Sequence, residues 1–381
     1  MSEVVLITGG AGFIGSHTAD ILIKNGYIVR IMDNLDPQIH GNSGKFPPYV
    51  DPKIECFHGD IRSEDDLIRC LDGVTYLYHF ASLTGVGQSM YDMKSYSDVN
   101  ITGTANIIET IIKKKIPIKK LILSSSRAVY GEGTRSCPQC GSIYLDIRNR
   151  SDLEKGNFEI LCPNCDHTTE STPTKETHPL KPISVYGWTK KAQEDICKYA
   201  AEVFDLNVVI LRYFNVYGSR QSLINPYTGI VSIFYSRLIE SQPISIYENN
   251  LPRRDFIHID DVVQANLKAL RNLIPSGEVI NIGSGTQSTI VDIATAIADA
   301  MGLKPNLTLN DEFRVGDILA CTADISKAQT LLDFKPSITL KEGMQEFVNW
   351  ARKEKSTDLY QKAITELRDH SLFSSSKIKG K

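Results

Sequence analysis

The chain has 381 residues, so one large domain or two coupled domains are expected. Its apolar and charged fractions, 41% and 23%, are ordinary for a soluble globular protein. A net charge of −3 argues against a nucleic-acid partner, and no apolar run is long enough to cross a bilayer, so no membrane partner is expected.

"EVVLIT" reads as a first strand. Its continuous apolar run, Val4 to Ile7, suits a strand buried on both faces of a parallel sheet. No charged leader or cleavage site precedes it, so cytoplasmic residence is expected. "TGGAGFIG" follows, with Gly9, Gly12 and Gly15 spaced G-x-x-G-x-x-G, and opens a helix expected from Gly15 to Lys24. Strand, glycine turn and helix together form the context of a dinucleotide site. The glycines permit a tight turn, and the free N–H groups of the helix face a pyrophosphate. Asp33 ends the next strand, "YIVRIMD", at the distance where a carboxylate meets the adenosine ribose. A carboxylate there repels a 2′-phosphate, which favours NAD over NADP.

Strands "IECFHGDI", "VTYLYHFA" and "KKLILSSS" then alternate with helices "SEDDLIRCL" and "SDVNITGTANIIETIIKKK". Such alternation implies a parallel sheet with right-handed crossovers. Ser124, Ser125 and Ser126 close the third of these strands at its carboxyl end, where doubly wound sheets bind ligands.

Next come "CPQC" and "CPNC". Cys137, Cys140, Cys162 and Cys165 give two knuckles that suit one tetrahedral zinc ion. Four thiolates close the coordination sphere, so the zinc is expected to be structural. This ribbon, about residues 134–172, lengthens the loop between the serine strand and the helix "YGWTKKAQEDICKYAAEVF", at the mouth of the site. There it is expected to cap a substrate or make a subunit contact. In that helix Tyr186 and Lys190 lie four apart, on one face. A phenol is a poor base at neutral pH; a nearby ammonium and a positive nicotinamide favour the phenolate, making Tyr186 a plausible acid/base.

"NVVILRYFNVYG" reads as one strand. Beyond it the alternation loosens into a smaller lobe with helices "IVSIFYSRLIE" and "IVDIATAIADAMG". The tail "SSSKIKGK" is expected to fray. The expected fold class is α/β, a doubly wound parallel sheet with a smaller C-terminal substrate lobe and an inserted four-cysteine zinc ribbon. The expected division is 1–215 for the dinucleotide, 216–355 mainly for the substrate with some segments returning to the first unit, and 356–381 as helix and tail.

The chain resembles the extended short-chain dehydrogenase/reductase family, and within it the NAD-dependent sugar-nucleotide epimerases. The resemblance covers most of residues 1 to 350. It rests on "TGGAGFIGSH", "DNL", "GDI", "HFAS", "DVNITGT", "SSSRAVYG", "YGWTK", "RYFNVYG", "RRDFIHIDDV" and "RVGDI". It implies Ser126, Tyr186 and Lys190 as the catalytic group. For the cofactor it implies Gly9, Gly12, Phe13, Ile14, Gly15, Asp33, Asn34, Asp60, Ile61, Phe80, Ala81, Ser82, Asn100, Ser124 and Phe214. For a nucleotide-sugar substrate it implies Thr84, Ser126, Asn215, Arg254 and Arg314, and guanidinium forks independently suit phosphate. A homodimer through helices near 98–114 and 187–204 is a further implication.

Relatives that dehydrate a sugar carry Asp-Glu directly after the hydroxyl residue, and decarboxylases tend to carry Glu at the second of these positions. Here the pair is Arg127 and Ala128, so the acid and base for water loss are missing. The expected reaction is inversion at C4 through a transient 4-keto sugar. An inserted ribbon of this kind resembles bacterial dTDP-L-rhamnose 4-epimerases; UDP-hexose and UDP-uronate are the alternative substrates.

Overall fold

A computed structural model describes residues 3–227 and 229–376. Seven parallel strands form the central sheet: β1 (Val4–Thr8), β2 (Ile28–Asp33), β3 (Glu55–His58), β4 (Tyr76–His79), β5 (Lys120–Ser126), β6 (Val208–Tyr213) and β7 (Glu278–Ile282). Their spatial order is β7-β6-β5-β4-β1-β2-β3. The order reverses between β1 and β4, which opens a crevice at the carboxyl ends of the strands.

Alternate residues of each strand face opposite cores. Val5, Ile7, Val29, Ile31, Leu211 and Ile280 pack on one side, under the helices Phe13–Lys24 and Ile259–Arg271. Leu6, Leu77, Leu121, Leu123 and Ile210 pack on the other, under Glu64–Leu71, Gly103–Lys113 and Val185–Phe204. Both faces are covered, so these strands read as near-continuous apolar runs. A third core joins the helices Ile230–Ile239, Ile290–Met301 and Leu340–Ala351 of the smaller lobe. The helix Ile259–Arg271 and β7 come back from this later part of the chain to complete the central sheet layer.

Four expectations change. The first helix starts at Phe13, two residues earlier than Gly15. The run "NVVILRYFNVYG" divides at Phe214: the Phe214 N–H still donates to Ile282 of β7, but Asn215 donates to Asp255, and Asn215–Tyr217 pairs with Phe256–His258. The long helix before β5 contains a π turn at Asp98–Thr102. The tail is not frayed from its start: Phe373–Ser375 pairs antiparallel with Glu312–Arg314. The rest of that tail, 377–381, lies outside the described residues. No described helix is long and apolar enough to cross a membrane.

The ribbon is a three-stranded antiparallel unit of Arg135–Cys137, Gly141–Ile143 and Glu170–Ser171. Its four sulfur atoms all lie within 4.8 Å of one another. Cys137 and Cys162 are buried in a small cluster with Ile143. Four converging thiols without a disulfide fit a tetrahedral zinc ion.

Beneath the sheet edge, Arg212 of β6 makes a two-pronged ion pair with Glu194 of the Val185–Phe204 helix, at 2.8 and 2.7 Å. Both side chains are essentially inaccessible, at 2% and 0% exposure. Burial pushes the Glu194 carboxyl up, but hydrogen bonds and charge from Arg212 outweigh it and hold the group below the ordinary carboxylate range. Removing one partner leaves an uncompensated buried charge. Glu194→Ala is therefore expected to cost about 3–5 kcal/mol of unfolding free energy, measured by urea titration, and adding Arg212→Met to recover much of it. A loss below about 1 kcal/mol contradicts this.

Candidate active site

One cavity of about 820 Å³ runs along the carboxyl ends of β1, β2, β4, β5 and β6 into the smaller lobe. Every residue that the sequence assigns to cofactor or substrate lines it, except Asn100.

The glycine turn forms one end. Gly9 has φ of +69°, a left-handed conformation that disfavours other residues, and a Cβ there would lie 2.7 Å from the Ala81 backbone nitrogen. Asp33 braces the turn by accepting from the Ala11 N–H at 3.0 Å, and also takes the Leu35 N–H at 2.9 Å. Gly12 begins the helix with no side-chain cap. The first helical N–H groups therefore point at the cavity with a positive dipole end, which suits a dinucleotide pyrophosphate. Asp60 is joined to this rim by Asn34 at 3.3 Å and by a salt bridge to Arg62 at 2.8 Å.

The reactive end is built on β5 and the tyrosine helix. Ser184 caps that helix by accepting from the Gly187 N–H at 3.1 Å. A Cβ on Gly187 would sit 2.5 Å from the Ala128 carbonyl, so glycine lets the helix press against the residues that follow Ser126. The Tyr186 N–H donates to the Ser89 hydroxyl at 3.0 Å. Lys190 is buried, donates to the Ser124 carbonyl at 2.9 Å, and stands 6.0 Å from the centre of the Tyr186 ring. Burial raises the Tyr186 phenol, while the Ser126 hydroxyl and the Arg127 charge pull it back. Burial lowers the Lys190 ammonium to about 7, partly opposed by Glu194. His79, below the site, is held neutral by burial and by Lys190, at about 3, and links Thr8 to Thr104.

Asn100 is left by the resemblance as a structural or a cofactor contact. It is fully buried in the π turn and does not line the cavity. Its amide pairs with both backbone groups of Leu83 and donates to Thr189 at 2.9 Å. It therefore positions the cavity-lining Leu83 segment against the tyrosine helix.

Beyond Ser126, Arg127 leads on to Arg254 and Arg314, and all three line the cavity with Asn215. Arg127 donates to the Asn215 side chain at 3.2 Å. Arg254 donates to Asp317 at 2.7 Å and to the Ile318 carbonyl at 2.8 Å. Arg314 lies over the Tyr247 ring, and its Nε has no hydrogen-bond partner among the described residues. Three guanidiniums suit a diphosphate. Sequence reading took Arg127, which adjoins Ser126, only as the residue that replaces a carboxylate, and passed over Asp317, inside the quoted "RVGDI". It also missed Tyr360, Ala363, Ile364 and Leu367, which line the cavity from the C-terminal helix. Their i, i+3, i+4, i+7 spacing is the signal that would have found them. None of the described ribbon residues lines the cavity.

The family model for the NAD dependent epimerase/dehydratase family matches residues 5–152 and 162–283. The chain belongs to this family. The interruption in the match falls inside the ribbon. A dTDP-L-rhamnose 4-epimerase of Burkholderia thailandensis is 35% identical over 92% of this chain and 95% of that protein. A putative UDP-glucose 4-epimerase of Methanocaldococcus jannaschii is 33% identical over 93% and 100%. Among solved structures, a UDP-glucuronic acid 4-epimerase from Bacillus cereus, in complex with UDP-glucuronic acid and NAD, superposes with a TM-score of 0.75. It is 28% identical, covering 92% of this chain and 99% of that one. The matched residues take in the glycine turn, Tyr186, Lys190 and all seven strands of the central sheet, with only Val4 outside.

The Lys190 shift has a measurable sign. A buried lysine lowered from its ordinary value costs the fold nothing above the unfolded pKa, and the cost grows as pH falls, to its full size below the folded value, about 7. Lys190→Met should therefore raise the thermal midpoint of dinucleotide-free enzyme more at about pH 6 than at about pH 9. Equal gains at both would contradict the burial of a titrating amine.

Proposed function

We propose that this chain is an NAD-dependent 4-epimerase of nucleotide-diphosphate sugars. The observation that carries the reading is the pairing of Tyr186 and Lys190 beside Ser126 where Arg127 and Ala128 follow. The site thus has a phenol for proton transfer at one oxygen, and no carboxyl pair directly after Ser126 for water elimination.

The uncapped helix at Gly12, the left-handed Gly9 and Asp33 at the rim fit NAD, and a Bacillus cereus relative of the same fold was solved with NAD. Bound there, NAD supplies a hydride acceptor and donor. Tyr186 takes the proton of the sugar 4-hydroxyl and later returns it. Lys190, in its protonated form, favours the phenolate that does so. Ser126 orients the sugar oxygen. Arg254 and Arg314 hold the diphosphate, so the keto-sugar turns over without leaving and is reduced on its other face.

Among substrates, dTDP-L-rhamnose ranks first, supported by the 35% identical relative and by the resemblance of the ribbon. UDP-hexose and UDP-uronate follow, supported by the other two relatives. In this reading 1–215 chiefly holds NAD, 216–355 chiefly holds the nucleotide sugar, and 356–381 adds a wall. Zinc in the four-cysteine site is structural, because four thiolates leave no open position. A homodimer through the tyrosine helix is part of the reading, supported by its exposed Trp188, Tyr199 and Val203.

The test incubates the enzyme with dTDP-, UDP-, GDP- and CDP-sugars and identifies products by NMR. A C4 epimer with no net NADH is the expected result, and Tyr186→Phe should lower kcat by ~10²–10⁴-fold. Accumulation of a dehydrated or decarboxylated sugar would overturn the reading.

A further inference from the structure

The ribbon stands outside the cavity, yet one of its side chains is committed to the cavity wall. Arg148 lies between the two cysteine knuckles. It makes a two-pronged ion pair with Glu248, at 2.5 and 3.0 Å, and donates to the Asp317 carbonyl at 3.0 Å. The two side chains are 9% and 2% exposed. Glu248 and Asp317 line the arginine end of the cavity, and Asp317 holds Arg254.

The backbone at Glu248 is unusual. Glu248, Asn249 and Asn250 have φ of +48°, +49° and +64°. Three successive non-glycine residues in the left-handed region are strained, and such strain persists only where the surroundings over-determine it. Arg148 supplies much of that determination from one side. Arg253 adds to it by donating to the carbonyls of Asn250, Leu251 and Pro252. The ribbon is itself docked on the same wall, because Phe158 and Leu153 bury Phe313, the neighbour of Arg314.

We propose that Arg148 is a positioning residue for the nucleotide end of the site, and that the ribbon is the strut that presents it. The four-cysteine cluster orders the ribbon, the ribbon places Arg148, and Arg148 holds the left-handed turn and, through Asp317, the Arg254 fork. The ribbon then acts on nucleotide affinity and leaves proton transfer at Tyr186 untouched. This inference rests on the nucleotide-sugar reading above.

The test uses the full-length holoenzyme, calorimetric binding of UDP and dTDP, and steady-state kinetics with the sugar that the wild type turns over. Arg148→Met should weaken binding of the preferred diphosphate about tenfold or more and raise KM similarly, with kcat within about threefold and bound NAD unchanged. Arg148→Lys, which keeps the charge and loses the fork, should fall between and serves if the methionine variant does not fold. Stripping metal from the wild type with a thiol-reactive reagent and chelator should reproduce the loss of diphosphate binding. Wild-type affinity in Arg148→Met, or in Arg148→Lys where that variant stands in for it, would overturn the inference alone, as would a fall in kcat with KM unchanged. A wild type that binds neither diphosphate would overturn the functional reading, and the inference with it.

Discussion

The site depends on keeping an amine and a phenol buried side by side. Burial disfavours charge on both, so in the empty chain the Tyr186 phenol rises and the Lys190 ammonium falls to about 7. Glu194, one turn beyond Lys190, is the near carboxylate. It is committed to Arg212 and to the Ser125 hydroxyl. Among the described residues, Lys190 itself donates to a neutral acceptor, the Ser124 carbonyl. A positive charge arriving in the cavity then tips the phenol towards its anion without competition from a local carboxylate.

The rest of the molecule secures that geometry. The tyrosine helix is fixed by Ser184 at its start, by Gly187 against Ala128, and by Glu194 on β6. Asn100 ties it across Thr189 to the Leu83 segment. Arg254 and Arg314 line the same cavity, and Arg148 of the ribbon pairs with Glu248 in its wall. In the proposed reaction, anchoring by these arginines and chemistry at Tyr186 are what a substrate that must turn over without leaving requires.

Much of this was legible in the residues. The glycine spacing, the Tyr-x-x-x-Lys pair and the two CxxC knuckles are local patterns whose chemistry needs neighbours in sequence. Features made by long-range pairing were not legible. Phe214 looks like the middle of a strand because its neighbours are apolar, but Asn215 exchanges β7 for Phe256–His258, and periodicity carries no record of partners. Ser374 and Ser375 look like a tail because they are polar, yet Glu312–Arg314 offers an open edge. Asn100 sits in a family motif that leaves it a structural or a cofactor contact; its burial and its bond to Thr189 favour the structural role. Arg127 was read only for the carboxylate it replaces, although it faces the arginine end.

The central claim is that hydrogen leaves C4 of the sugar and returns to C4 within one cavity. It is tested most directly with substrate deuterated at C4, in ordinary water. The account predicts that the epimerised product keeps its deuterium at C4, seen by NMR and mass spectrometry. Washout of that label into solvent during turnover would contradict it.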